Sequence, residues 1–327
     1  MTGGAGFIGS HLVRKLLDEG EQVTVLDNFS TGSRENLPQD AAVKCVEMDV
    51  NDASLAEVFD EGRFDAVVHL AGQTTVHISM ESPALDGREN IIGSIHVLEQ
   101  ARRTGVQRVV FASTAASYGD VAEESLPIVE SEPLHPMSFY GLSKVTVEHY
   151  LRLYQQSFGL DFVILRFANV YGERQGNGGE GGVISIFAKR LAEGRALTIY
   201  GDGEQTRDFI YAGDIAAGIC AALHTEHVNH AYNLSTQTET SLRELVAILA
   251  DVSGRDIEPR CLEARPGDIY SPCSPTAARA ARSAGPLSSP CARASGAPTR
   301  TSARQARQVR NEYDKRAPAD AGAFMMA

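Results

Sequence analysis

The chain has 327 residues, 43% hydrophobic and 22% charged, an ordinary balance for a globular protein with a real core, and no apolar run long enough to span a bilayer. Its net charge of −12 is uneven: residues 271–327 carry nine Lys/Arg against three Asp/Glu, and residues 1–270 carry 21 against 39, an acidic body that sets aside nucleic acid as a general partner but not an anionic small substrate. The start lacks a secretory signal, the five cysteines (Cys45, Cys220, Cys261, Cys273, Cys291) show no paired spacing, and there is no HExxH or carboxylate cluster, so a cytoplasmic protein without a metal site is expected.

The chain opens on Thr2-Gly3-Gly4-Ala5-Gly6-Phe7-Ile8-Gly9-Ser10, a G-x-x-G-x-x-G pattern. Gly3 permits a tight turn, Gly6 lets backbone approach a pyrophosphate, and Gly9 lets the next helix pack closely. An amphipathic helix over 10–19 follows, with Leu12, Val13, Leu16 and Leu17 on one side, then an apolar strand over 22–27 ending in Asp27. The helix N-terminus would face the pyrophosphate with free N–H groups. Asp27 can bind the adenine-ribose hydroxyls and would repel a 2′-phosphate, which favours NAD over NADP. Arg34 in the next loop either softens that preference or is a solvated loop residue, and Asp49 either reaches the adenine or faces solvent.

Further apolar strands read at 43–48, 66–70, 108–112 and 162–167, with helices over 91–103 and 138–158. That alternation predicts a Rossmann-type α/β fold, a doubly wound parallel sheet covered on both faces. Such a domain normally begins with a strand running into the glycine loop. Here that first strand is cut short, which predicts a gap in the middle of the sheet and a true start upstream of Met1. After about residue 172 the rhythm changes to a Gly-rich loop at 172–182, helices near 183–193, 214–223 and 241–252, and strands around 197–200 and 208–211. The expected organisation is an NAD-binding domain over 1–172 and an interleaved substrate-binding lobe over 173–270. From Ser271 only five large aliphatic, Phe or Met residues occur in 57, so a disordered tail is expected there, with a shifted reading frame the preferred origin, a flexible appendage the alternative, and nucleic-acid or membrane binding by its basic residues a lesser one.

Tyr140-Gly141-Leu142-Ser143-Lys144 places a phenol and an ammonium at i and i+4, on one helix face. The ammonium is expected to lower the tyrosine pKa toward neutrality, poising a phenolate to take a proton from a sugar hydroxyl. Alone the pair could be surface decoration. A strand ending Phe111-Ala112-Ser113-Thr114 lies upstream and would aim a hydroxyl into the same crevice. Thr114 is the candidate to bind the reacting oxygen, with Ser113 as understudy; either could instead be a turn residue bonding local backbone.

From Thr2 to about Ile269 the chain resembles the extended short-chain dehydrogenase/reductase family, specifically its NAD-dependent nucleotide-sugar epimerases of the UDP-glucose 4-epimerase type, through TGGAGFIG, VLDNFSTG, HLAGQ, STAASYG, YGLSK, RFANVYG and GDGEQTRDFIY. The resemblance implies Tyr140 as base and acid, Lys144 as its partner and ribose ligand, and Thr114 as the third catalytic member. It implies that Gly3, Gly6, Phe7, Ile8, Asp27, Asn28, Asp49, Val50, Leu70, Ala71, Gly72 and Gln73 line NAD, that Asn90 and Asn169 sit near the sugar, and that Arg207 and Arg265 grip the diphosphate of a UDP-sugar. Guanidinium forks suit that task, though either arginine could pair with its neighbouring Asp208 or Asp268 instead. The implied reaction oxidises C4 of the sugar, rotates the 4-keto sugar and returns the hydride. A related decarboxylase begins the same way; a dehydratase would need an Asp-Glu after the threonine, where this chain has Ala115-Ala116. A catalytically defective NAD-binding protein is the alternative of another class. Relatives commonly form homodimers through two helices, for which 91–103 and 138–158 are candidates, although core packing explains their apolar faces as well.

Overall fold

The apolar runs without polar alternation become the strands of a parallel sheet. In a computed structural model that describes residues 1–122, 125–176 and 182–263, β1 (Val23–Asp27) pairs with β2 (Val43–Glu47), and β3 (Ala66–His69), β4 (Arg108–Thr114), β5 (Asp161–Phe167) and β9 (His230–Leu234) pair in that order, every pair parallel. The two groups meet through Thr2, which bridges in parallel to both Leu26 and His69. The gap expected between β1 and β3 is thus closed at its C-terminal end. Thr2 N donates to Val68 O at 3.0 Å, Leu70 N to Thr2 O at 3.2 Å, Gly3 N to Leu26 O at 2.9 Å and Leu26 N to Met1 O at 2.9 Å.

Helices cover both faces, as continuous apolar strands require. On one side α1 (Phe7–Asp18) and α8 (Ala212–His224) pack Leu12, Val13, Leu16, Ile215 and Ile219 against Val25, Val110 and Val163. On the other, α2 (Leu55–Gly62), α5 (Gly93–Thr104) and α6 (Phe139–Phe158) pack Phe59, Leu98, Val147 and Leu151 against Leu26, Val67, Val109 and Ile164. Two short helices, α3 (Val76–Glu81) and α4 (Pro83–Asp86), and a π-helical turn (Gly87–Ile92) lead into α5, so this region begins helical structure before the predicted residue 91.

Beyond the sheet, β6 (Asn169–Tyr171), β8 (Thr206–Tyr211) and β10 (Glu239–Ser241) form a small mixed sheet, and β7 (Thr198–Tyr200) pairs with β11 (Arg260–Leu262). Here α7 (Val183–Ala192) and α9 (Leu242–Ser253) enclose a separate apolar cluster of Phe187, Leu197, Ile199, Leu245 and Val246. Between these pieces α8 and β9 return to the main sheet. Strand β9 escapes the apolar pattern because it buries Asn233, whose Oδ1 accepts from Tyr118 and whose Nδ2 donates to Ile128 O. The expected tail over 271–327 lies outside the described residues.

Candidate active site

Because the main strands run parallel, their C-terminal ends gather at one edge, where open α/β sheets bind ligands. The glycine loop leaves Thr2 at this edge. Gly3 has φ +71°, and a Cβ there would sit 2.7 Å from Ala71 N; a Cβ at Gly9 would sit 2.1 Å from Gly3 O. Both contacts leave room for glycine alone, and they press the α1 N-terminus against the β3 end. Helix α1 starts at Phe7 and Ile8 with no side-chain cap and no acidic residue in its first turn, so its positive end is left for an anion. Asp27 closes β1: its Oδ2 accepts from Ala5 N and its Oδ1 from Phe29 N, both at 2.9 Å. The carboxylate therefore braces the glycine loop and still has lone pairs to offer a ribose. Asn28 Nδ2 donates to Asp49 Oδ2 at 2.8 Å. Burial opposes ionisation of Asp49, but hydrogen bonds from Asn51 and Asn28 hold its pKa below the ordinary value. Val50 is buried in the core beneath it. Arg34 pairs with Glu47 and lies over the Phe29 ring, 4.6 Å from its centroid, rather than pairing with Asp27.

After β3, Leu70 and Ala71 are tied back to Thr2, and Gly72 turns with φ +152°. A Cβ on Gly72 would lie 2.4 Å from Asn90 Oδ1 and 3.6 Å from Lys144 Nζ, so the loop carrying Gly72 and Gln73 passes directly against α6.

That helix, α6, is capped by Ser138, whose hydroxyl accepts from Gly141 N at 3.1 Å. A Cβ on Gly141 would lie 2.8 Å from Ala116 O, and this close approach brings the start of α6 onto the end of β4. Thr114 Oγ1 accepts from Ala116 N at 3.1 Å, the local turn bond open to it, and the same hydroxyl is close enough to the Tyr140 phenol to favour its ionised form. Lys144 Nζ lies 5.9 Å from the Tyr140 ring centroid and 5.0 Å from that of Phe111. The three residues converge as the spacing predicts, but the expected drop in the tyrosine pKa does not appear. Burial of the phenol end pushes Tyr140 up to about 12, partly opposed by the Thr114 hydroxyl, and burial pushes Lys144 down to about 8, opposed by Asp86. Desolvation of the phenolate outweighs the lowering by Thr114, and the Asp86 carboxylate adds to the rise. Ser113 also departs from expectation. Alternation along β4 turns it to the other side, where its hydroxyl donates to Glu148 Oε1 at 2.7 Å.

Of the residues expected near the substrate, Asn169 stands half-buried on β6, opposite Phe209 of β8, and Arg207 stands half-buried two residues earlier on β8, opposite Thr240 of β10. Asp208 does not serve as a partner held for Arg207 alone: its oxygens accept from Thr236 N, Thr236 Oγ1 and Gln237 N. Asn90 is 1% exposed and held inside the framework, donating to Gln73 O, Asp86 Oδ1 and Ser143 Oγ at 3.0–3.1 Å, rather than presented to an open crevice. Arg265 lies outside the described residues.

Residues 1–235 match the family model described as the NAD dependent epimerase/dehydratase family. The chain belongs to this family. It is 37% identical over 273 residues to the UDP-glucose 4-epimerase of Mycolicibacterium smegmatis, covering 82% of this chain and 87% of that one. Among solved structures it is similar to the UDP-glucose 4-epimerase of Thermotoga maritima with UDP-glucose (39% identity, TM-score 0.78, 82% of this chain and 86% of that one). It is also similar to the UDP-glucose 4-epimerase of Thermus thermophilus in complex with NAD (42% identity, TM-score 0.75, 84% and 89%). The family's NAD fits this chain on physical grounds: an uncapped helix start, a loop compact enough to exclude any side chain at two positions, and a strand-end carboxylate.

Sequence reasoning missed three members of the site. Phe111 supplies the aromatic face beneath Lys144, Ser143 links α6 to Asn90, and Asp86 joins Asn90 to Gln73. The one sequence signal was the i, i+4 spacing of Asp86 and Asn90, which is too common to stand alone.

Proposed function

We propose that the protein is an NAD-dependent UDP-sugar 4-epimerase that interconverts UDP-glucose and UDP-galactose. The observation that carries this reading is the convergence of Thr114, Tyr140 and Lys144 beside the glycine loop, in a chain that is similar over most of its length to UDP-glucose 4-epimerases. Thr114 orients the C4 hydroxyl through its own hydroxyl. Tyr140 takes the C4 hydroxyl proton and later returns it, and Lys144 supplies positive charge beside it. NAD, when bound, supplies the hydride acceptor and donor and a cationic ring that favours the Tyr140 phenolate. Gly3, Gly6, Phe7, Ile8, Asp27, Asn28, Asp49, Val50 and the segment Leu70, Ala71, Gly72 and Gln73 line the cofactor. Asn169 contacts the sugar, and Arg207 with Arg265 holds the diphosphate. Asn90 acts through the framework beside Lys144.

A homodimer belongs to the same reading. Leu142 and Leu153 on α6 are about half exposed, as are Ile92 and Met80 nearby, a stripe that suits a helix-bundle interface. Light scattering on the purified chain should give twice the monomer mass, and Leu153→Arg should return it to monomer. The function is tested by incubating the protein with NAD and UDP-galactose and following the sugar protons by NMR. UDP-glucose should accumulate to equilibrium. Loss of carbon dioxide from UDP-glucuronic acid, or no conversion at all, would refute the assignment.

A further inference from the structure

A buried carboxylate beside the catalytic pair has no part in the steps above. Asp86, at the end of α4, is 1% exposed. Its Oδ1 accepts from Gln73 Nε2 at 2.9 Å and from Asn90 Nδ2 at 3.0 Å. Gln73 belongs to the loop at the β3 end, and its Nε2 also donates to Thr75 O at 2.9 Å. Asn90 reaches on to Ser143 Oγ at 3.1 Å, next to Lys144 on α6. Two neutral amide groups are thus all that these contacts give a buried carboxylate, an arrangement that is costly if hydrogen bonding were the whole purpose. An amide side chain would make the same two bonds without bringing a charge indoors.

The charge has somewhere to act. It favours the charged form of Lys144, which burial opposes, and it disfavours the Tyr140 phenolate. Among the described residues, the other titratable groups packed near this part of α6 are neutral or have partners of their own. His69 faces Lys144 from β3 but burial holds it neutral, with its pKa near 3. Glu148, one turn along α6, is paired with Arg166 of β5. His77 and Glu81 on α3 pair with each other in solvent, Glu89 of the π-turn interacts with Arg88 and Asp49, and Glu99 on α5 holds Arg102 and Tyr154.

We propose that Asp86 is the fixed counter-charge of the catalytic pair, keeping the Lys144 side chain an ammonium and bracing the β3-end loop against α6 through Gln73 and Asn90. It is a positioning residue: it touches neither substrate nor the reacting atoms. Its consequence for turnover rests on the epimerase reading, whereas the charge coupling itself does not.

The full chain contains five lysines, so 13C-lysine labelling gives a small set of NMR signals, and Lys144→Met assigns the one that matters. The wild-type Lys144 midpoint should lie near 8. Asp86→Asn preserves shape and should lower that midpoint by about one pH unit, the scale of a nearby charge. Asp86→Glu should hold it at the wild-type position. With UDP-galactose, the high-pH limb of the Asp86→Asn kcat profile should move down by the same amount. A folded Asp86→Asn protein with an unmoved midpoint overturns the proposal. If that variant does not fold, Asp86→Ser carries the same titration. A wild type that converts no UDP-hexose, while the midpoint still falls in Asp86→Asn, sinks the epimerase reading and leaves the counter-charge standing.

Discussion

Replacing Arg166 with methionine tests how β4, β5 and α6 are locked together beneath Thr114. Arg166 is 2% exposed, and the Glu148 side chain it meets is 0% exposed. Its Nε donates to Glu148 Oε1 at 2.9 Å and its Nη2 to Oε2 at 2.7 Å, while Nη1 donates to Tyr118 at 2.8 Å and to Glu130 O at 3.1 Å. Methionine fills much of the same volume but leaves Glu148 buried with Ser113 and with the half-exposed Arg152 at 3.5 Å. Breaking a buried pair from one side costs about 3–5 kcal/mol, because the remaining charge has lost its compensation. In a domain of this size that corresponds to a fall in Tm of roughly 10 °C. Urea denaturation at pH 7 should show the loss as a lower midpoint with an unchanged slope. Adding Glu148→Leu to Arg166→Met should restore most of it, since no orphan charge then remains. A loss below about 1 kcal/mol, the value of an exposed pair, would refute the reasoning.

Three further outcomes follow from the same structure. Tyr140→Phe should lower kcat by about 10²–10⁴ at unchanged stability, the usual worth of a positioned acid-base group, read in the UDP-galactose assay. Gly6→Ala should fold with only a modest loss of stability, because its Cβ meets Gly3 O at a tight 3.3 Å and nothing else within 4 Å, yet bind NAD weakly by calorimetry; Gly9→Ala should be strongly destabilised by the 2.1 Å clash. His69, hydrogen-bonded to Thr2 and Ser94, has its pKa depressed by burial from 6.5 to about 3. The unfolded chain therefore binds a proton below pH 6.5 that the folded chain refuses, so stability is complete above 6.5 and is lost as pH falls toward 3. Between pH 7 and pH 5 the loss should be about 2 kcal/mol in urea titrations, and His69→Gln should flatten that slope.

Whatever is local along the chain is legible in the order of its amino acids. A glycine spacing followed by an amphipathic helix, a strand closed by Asp27, the alternation of apolar runs and helices, and a Tyr140–Lys144 pair one helical turn apart are all readable because period and spacing carry them. Folding settles what depends on partners far away in the chain. Thr2 bridges two strands by meeting Leu26 and His69, β9 joins the sheet despite burying Asn233 against Tyr118, and Ser113 turns to Glu148 while Thr114 meets Tyr140. The same holds for the state of the Tyr140 phenol: a motif shows that an ammonium is nearby, whereas its effect is set by how much water the fold removes from both groups and by the Asp86 carboxylate that sequence spacing does not reveal.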